Sequence, residues 1–174
     1  MQLPYVLPLL LVLVLASCVR AQQVPERLQT GHRPLDKKLA KLVTADDNAL
    51  SAAEANALEN ALFLDAREPA EYTVSHLPGA RLLGYDRPDY AVLKNVDKDR
   101  PLVVYCTVGY RSERAAQQLR KRGFTQVYNL YGSLYAWALA DLPLENAQGP
   151  TNQLHTYNKK WGTFVPDSLG EKVH

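Results

Sequence analysis

Four short apolar runs constrain this fold most: Leu62-Phe63-Leu64-Asp65, Ala80-Arg81-Leu82-Leu83, Leu102-Val103-Val104-Tyr105 and Val127-Tyr128-Asn129-Leu130-Tyr131. Each has strand length, and helical segments fall between and after them, over residues 70–76, 90–95, 112–122 and 133–140. Such alternation predicts a single α/β domain around a central, mostly parallel sheet flanked by helices and buried on both faces. Ligands of these sheets bind beyond the carboxyl ends of the strands. The third run, set off by Pro101, ends directly at Cys106, one of two cysteines in 174 residues.

The flanks read differently. Residues 22–34 are polar, carry two prolines and lack periodicity, which predicts a tether. Residues 35–61 are rich in alanine, leucine, lysine and glutamate without proline, and Asp46, Asp47, Asn48 and Ser51 are cap residues that would divide them into two helices. The domain is expected over 35–145, followed by a tail over 146–174. Trp161, Phe164 and Val165 in that tail fit two readings, packing back on the domain or covering an active site or partner.

Lysine and arginine number 20 against 18 aspartates and glutamates, a formal charge of +2. No basic stripe dominates, so a nucleic-acid footprint is not expected. The basic residues between Arg27 and Lys41 read as a solvated linker.

The run from Leu3 to Ala16 is short for a bilayer span and contains Pro4 and Pro8, so it reads as a secretory signal, although no basic residue precedes it. Leu15-Ala16-Ser17-Cys18 resembles a bacterial lipobox, which would lipidate Cys18. Val19-Arg20-Ala21 resembles an ordinary signal-peptidase site, with cleavage before Gln22. Either reading places the domain in the cell envelope or periplasm, lipid-anchored to a membrane through Cys18 or soluble. Cys18 is lipidated or removed in both cases, leaving Cys106 as the one thiol of the folded domain. An internal disulfide and a C-x-x-C redox mechanism are thereby excluded.

Cys106 lies where a strand gives way to a helix. Gly109 permits the turn, and the unpaired N–H groups of the helix start favour a thiolate and shelter an anionic substrate. Thr107, Val108, Gly109, Tyr110 and Arg111 form the expected substrate-binding loop around the catalytic Cys106. Arg111 and Arg114 sit at the end of the helix where basic residues are disfavoured, which an anion would explain. Lys121 and Arg122 suit its other end, with Gly123 as the stop.

Three motifs in order extend this reading: D-x-R-x-x-x-E-Y-x-x-x-H-L-P-G-A (Asp65 to Ala80), Y-C-x-x-G-x-R-S (Tyr105 to Ser112) and N-L-x-G-S-x-x-A-W (Asn129 to Trp137). Together they resemble the rhodanese-like domain family over residues 50–144. The resemblance implies the rhodanese fold and a Cys106 that carries sulfane sulfur as a persulfide. Phosphatase-type relatives have a C-x5-R loop, whereas four residues separate Cys106 from Arg111 here, which resembles the sulfurtransferase type.

The implied reaction passes sulfur from a small thiosulfate- or persulfide-type donor to a small thiol, a protein thiol or cyanide. A sulfur carrier or protein-binding module with little turnover is the alternative. Asp65, Arg67 and Glu71 are read as an ion-pair framework beside the loop, and His76 as a scaffold residue at a turn. No metal is expected, since His76 lacks companions at ligand spacing, and no cofactor beyond the transient persulfide.

Overall fold

The structure is a computed structural model that describes residues 24–174. The expected signal sequence, Cys18 and both cleavage sites lie outside the described residues.

A 3-10 turn at Glu26–Leu28 leads to helix α1 (Arg33–Leu39), whose Leu35 and Leu39, four residues apart, bury one face. Strand β1 (Ala49–Leu50) precedes α2 (Ala52–Ala57), which Ser51 and Glu54 start with a reciprocal capping box. Then come β2 (Leu62–Asp65), α3 (Pro69–Val74), β3 (Arg81–Leu82), β4 (Leu102–Tyr105), α4 (Tyr110–Lys121), β5 (Val127–Leu130) and α5 (Ser133–Leu139). The five strands form one sheet in the order β1-β5-β4-β2-β3, every pair parallel.

Alternation along the strands builds two cores. Leu62 and Leu64 of β2, Leu102 and Val104 of β4 and Val127 of β5 join Ala116 and Leu119 of α4 on one face. Phe63, Val103, Tyr105 and Leu130 point to the other face, where Leu35, Leu39, Ala55 and Leu134 from α1, α2 and α5 cover them. The expected parallel sheet flanked by helices is therefore present.

The flanks correct the sequence reading. Residues 24–34 do not behave as a tether: Leu28 is buried in the larger core, and the Arg27 guanidinium donates to Ala49 O and Glu54. Within the stretch expected as two helices, Ala49 and Leu50 instead form the edge strand β1, paired with Asn129 and Leu130. Tertiary pairing overrides the helix propensity of Ala and Leu at so short a site. The helix expected over 90–95 is a single 3-10 turn, Tyr90–Leu93.

The tail folds back. A hairpin of β6 (Leu144–Asn146) and β7 (Gly149–Thr151) is followed by β8 (Gln153–His155), α6 (Lys159–Gly162) and β9 (Glu171–Val173), with β8 and β9 parallel. Leu154 and Val165 are buried in the larger core, and the Tyr135 hydroxyl donates to Thr156 O at 3.2 Å. Lys172 Nζ ties the tail internally, donating to Gly162 O, Val165 O and Asp167 Oδ1.

If α1 is part of the core, Leu39→Ala costs about 2–5 kcal/mol of unfolding free energy in a urea melt. A solvated segment would lose almost nothing.

Candidate active site

Strand β4 is buried along its whole length and delivers Cys106, itself 1% exposed, at its carboxyl end. The chain turns through Gly109, which caps α4 at φ +113°, in the region where side chains are strained. A Cβ there would also lie 3.2 and 3.3 Å from the two methyls of Val43. Conformation and space both demand glycine.

The turn sorts its polar groups. Its carbonyls face away from the thiol: Cys106 O accepts the Leu134 N–H, Thr107 O the Tyr135 N–H and Gly109 O the Asn129 side-chain amide, at 3.1, 3.2 and 3.1 Å. Ser133 Oγ accepts the Cys106 N–H and donates to Leu130 O, both at 3.0 Å. On the other side the Gly109 N–H donates to Cys106 Sγ at 3.1 Å, and Ser112 Oγ lies 3.6 Å from the sulfur. The Ser112 hydroxyl also reaches Asn129 Oδ1 at 2.7 Å, so its one proton is shared between two acceptors.

Burial pushes the Cys106 thiol pKa up. The Arg111 charge, the Ser112 hydrogen bonds and the Gly109 N–H outweigh it, so the thiol is more acidic than an ordinary cysteine.

The expected framework residues form two ion pairs. Asp65 and Arg67 are fully buried: the Arg67 guanidinium grips the carboxylate with a 2.6 Å contact and donates to Ser75 O. Glu71, from α3, takes both arms of Arg111 at 2.6 and 2.7 Å and accepts the Thr107 hydroxyl at 3.2 Å. Burial raises the Glu71 pKa, but the Arg111 hydrogen bonds and charge more than offset it, leaving it below the ordinary carboxylate value. Stability from this ionised pair is therefore full above about pH 4.5 and is lost as pH falls through the lowered pKa. His76 stacks on Tyr72 at 3.8 Å, and its Nδ1 meets Tyr72 O at 3.0 Å, away from the thiol.

Neighbouring side chains hold both arginines. The Arg111 guanidinium, expected in the substrate-binding loop, lines the cavity with Cys106 while engaged by Glu71 and Thr107, and its charge acts on Cys106. Arg114 lies against the Tyr110 ring at 3.5 Å and donates to Tyr110 O, outside the lining of the cavity above the thiol.

That cavity has a volume of about 410 Å³. Cys106, Thr107, Val108, Tyr110 and Arg111 line it together with Glu68, Tyr85 and Asp86. Leu42, Tyr157 and Trp161 complete the wall. Of the six lining residues outside the loop, Trp161 was expected to pack on the domain or to cover an active site or partner, and Leu42, Glu68, Tyr85, Asp86 and Tyr157 had no expected role. Ser112, Asn129 and Ser133 stood within motifs without assigned functions. Small polar residues beside Gly109 and Gly132 were the available signal, since buried hydroxyls and amides need partners. His155, also unassigned, brings Nδ1 to 3.9 Å from Glu71 Oε1, and burial holds its pKa below the usual histidine value.

With this geometry in view, the chain matches the profile described as rhodanese-like domain over residues 47–140. A sulfurtransferase of Allochromatium vinosum is 35% identical over 94 residues, 52% of this chain and 84% of the relative. The thiosulfate sulfurtransferase GlpE of Pseudomonas putida is 36% identical over 99 residues, 56% of this chain and 87% of the relative. A crystal structure of thiosulfate sulfurtransferase from Pseudomonas aeruginosa superposes with a TM-score of 0.53 at 26% identity, covering 72% of this chain and 24% of that one. Leu42, Tyr157 and Trp161 lie outside the matched profile.

Ser112→Ala should move the Cys106 pKa upward and slow its alkylation several-fold at pH 7, with the pH–rate profile displaced to higher pH. Losing the partner of buried Asn129 Oδ1 should also cost about 1–3 kcal/mol in stability. An unmoved profile would mean that Ser112 has no hold on the thiolate.

Proposed function

Because this chain belongs to the rhodanese-like domain family, we propose that it is a sulfurtransferase working through a Cys106 persulfide. The observation that carries this reading is an acidic, buried thiol at the end of β4. A backbone N–H aims at its sulfur, and its pocket opens toward solvent. Relatives named as thiosulfate sulfurtransferases support the same reaction class.

The reaction divides into two displacements. The Cys106 thiolate attacks the sulfane sulfur of a donor such as thiosulfate. A new S–S bond forms at Cys106 while the donor's own S–S bond breaks, and sulfite leaves with that electron pair. The persulfide anion at Cys106 then gives its outer sulfur to a nucleophile. Cyanide departs as thiocyanate and a thiolate departs as its persulfide, and the Cys106 thiolate is restored in either case.

The N–H of Gly109 and the Arg111 charge favour the thiolate at the start and end of this cycle, which raises the fraction of Cys106 ready to attack and improves it as a leaving group. Glu71 holds Arg111 in place and is a positioning residue.

The full chain should therefore turn over thiosulfate and cyanide to sulfite and thiocyanate, and Cys106→Ser should abolish turnover. Intact mass after donor alone should show one added sulfur atom in the parent and none in the variant. A parent protein that neither loads sulfur nor turns over would sink this reading for thiosulfate.

A further inference from the structure

Three residues that line the Cys106 pocket come from parts of the chain outside the family match. Leu42 follows α1, while Tyr157 and Trp161 sit on the segment between β8 and β9. Among the described residues, the large apolar side chains left exposed are Tyr110 at 38% and Tyr157 at 51%, and both face this pocket. Isolated exposed aromatics need no explanation, but two converging on one cavity over a reactive thiol do.

Tyr157 is also held at φ +65°, a conformation that bulky side chains adopt only at a cost. Its backbone is fixed there by an N–H bond to His155 Nδ1 at 3.1 Å. Its ring lies 5.2 Å from the Arg111 guanidinium, so it covers the cation nearest the thiol. Trp161 is steadied from behind by Phe164 and Lys38.

The charges lining the pocket argue in the same direction. Glu68 and Asp86 bring two carboxylates, and among the described residues the one cation in the lining, Arg111, is engaged by Glu71. A dianion entering this space finds aromatic walls and carboxylates rather than a free cation. Thiosulfate, with a handful of heavy atoms, would also leave most of 410 Å³ unfilled, because cavities of roughly 300–1,000 Å³ suit organic ligands.

We propose that Leu42, Tyr157 and Trp161 adapt this site to an organic sulfane-sulfur donor: a thiosulfonate or persulfide with at most one negative charge and a flat apolar body, taken in preference to thiosulfate. This inference rests on the persulfide reading of Cys106. The chemistry is unchanged. With an aryl thiosulfonate the Cys106 thiolate bonds to the terminal sulfur, the donor's S–S bond breaks, and the aryl sulfinate leaves with the electron pair. The ring of the donor would lie between Tyr157, Trp161 and Leu42, where apolar burial and ring contacts reward it and a sulfonate gains nothing.

The test compares sulfur loading of Cys106 in the full chain by benzenethiosulfonate and by thiosulfate, followed by intact mass over time at several donor concentrations. The second-order rate constant for the aryl donor should exceed that for thiosulfate by about tenfold or more. Tyr157→Gly should cut that ratio by about tenfold, chiefly through weaker saturation by the aryl donor. Its melting temperature should not fall, because glycine relieves the positive φ. Trp161→Leu should lower the ratio in the same sense.

A wild-type preference for thiosulfate, or a ratio unmoved in both variants, would overturn the inference while leaving the sulfurtransferase reading intact. Failure of both donors to load sulfur on Cys106 in the wild type would remove both readings together.

Discussion

The site depends on where the carbonyls of the Cys106 loop go. A chain that turns sharply off a buried strand must satisfy its backbone groups locally, because water does not reach them. Here the first amides of α5 take the carbonyls of Cys106 and Thr107, and the Asn129 side chain takes that of Gly109. With the carbonyls secured on the far side, the Gly109 N–H is free to aim at the sulfur. The third sequence motif thereby acquires a physical meaning. Gly132 at φ +73° and Ser133 at φ +50° turn the chain from β5 into α5 so that the N-terminus of α5 meets the loop from below. A Cβ on Gly132 would come within 2.7 Å of the Ala136 Cβ, so that turn admits no other residue without movement.

Electrostatics then divides into a fixed part and an active part. Asp65 with Arg67, and Glu71 with Arg111, are carboxylate–guanidinium pairs taken largely out of water, and such pairs add little net stability over apolar packing. Their value lies in direction. Arg67 joins β2 to the end of α3 through Ser75 O, and Arg111 joins α4 to the start of α3 through Glu71. Removing one partner would strand the other charge in the interior, so the two pairs fix α3 beside the loop more firmly than their net energy suggests. Because Glu71 engages the hydrogen-bonding arms of Arg111, the remaining influence of Arg111 is its field at Cys106. That field stabilises a thiolate and a persulfide anion alike.

The strands and the place of Cys106 at a strand end were legible because their signals are local. Leu102–Tyr105 is a continuous apolar run closed by Pro101 and Cys106, and β2 and β5 repeat the pattern. Strand β1 was not legible, since two residues carry no periodicity and Ala49 and Leu50 become a strand only through Asn129 and Leu130. The core role of 24–45 was hidden for a related reason. Leu28, Leu35 and Leu39 are sparse among charged residues, and their burial comes from the distant α2 and α5. Arg114 was misjudged because dipole arguments ignore neighbours, and the Tyr110 ring holds its guanidinium instead. In the tail, Trp161, Phe164 and Val165 read as packing on the domain or covering an active site or partner, and nothing in that pattern singled out Tyr157, which lines the cavity with Cys106.

The site divides into two parts. The deep part of the site, from Cys106 to Ser112 with Glu71, Asn129 and Ser133, governs the acidity and exposure of the sulfur. It is built wholly from residues within the family match. Leu42, Tyr157 and Trp161 line the same pocket from outside the match and make none of the hydrogen bonds that set the thiol's acidity. On the proposed reading, a change at Leu42 or Trp161 alters what can approach Cys106, whereas Tyr157 also lies against Arg111. Specificity is a difference between competing substrates, and a wall that rejects a small dianion contributes to it as much as one that welcomes a ring. On the proposed reading the flanking segments act on substrate choice by shaping access, while the sulfur chemistry stays with the loop at the end of β4.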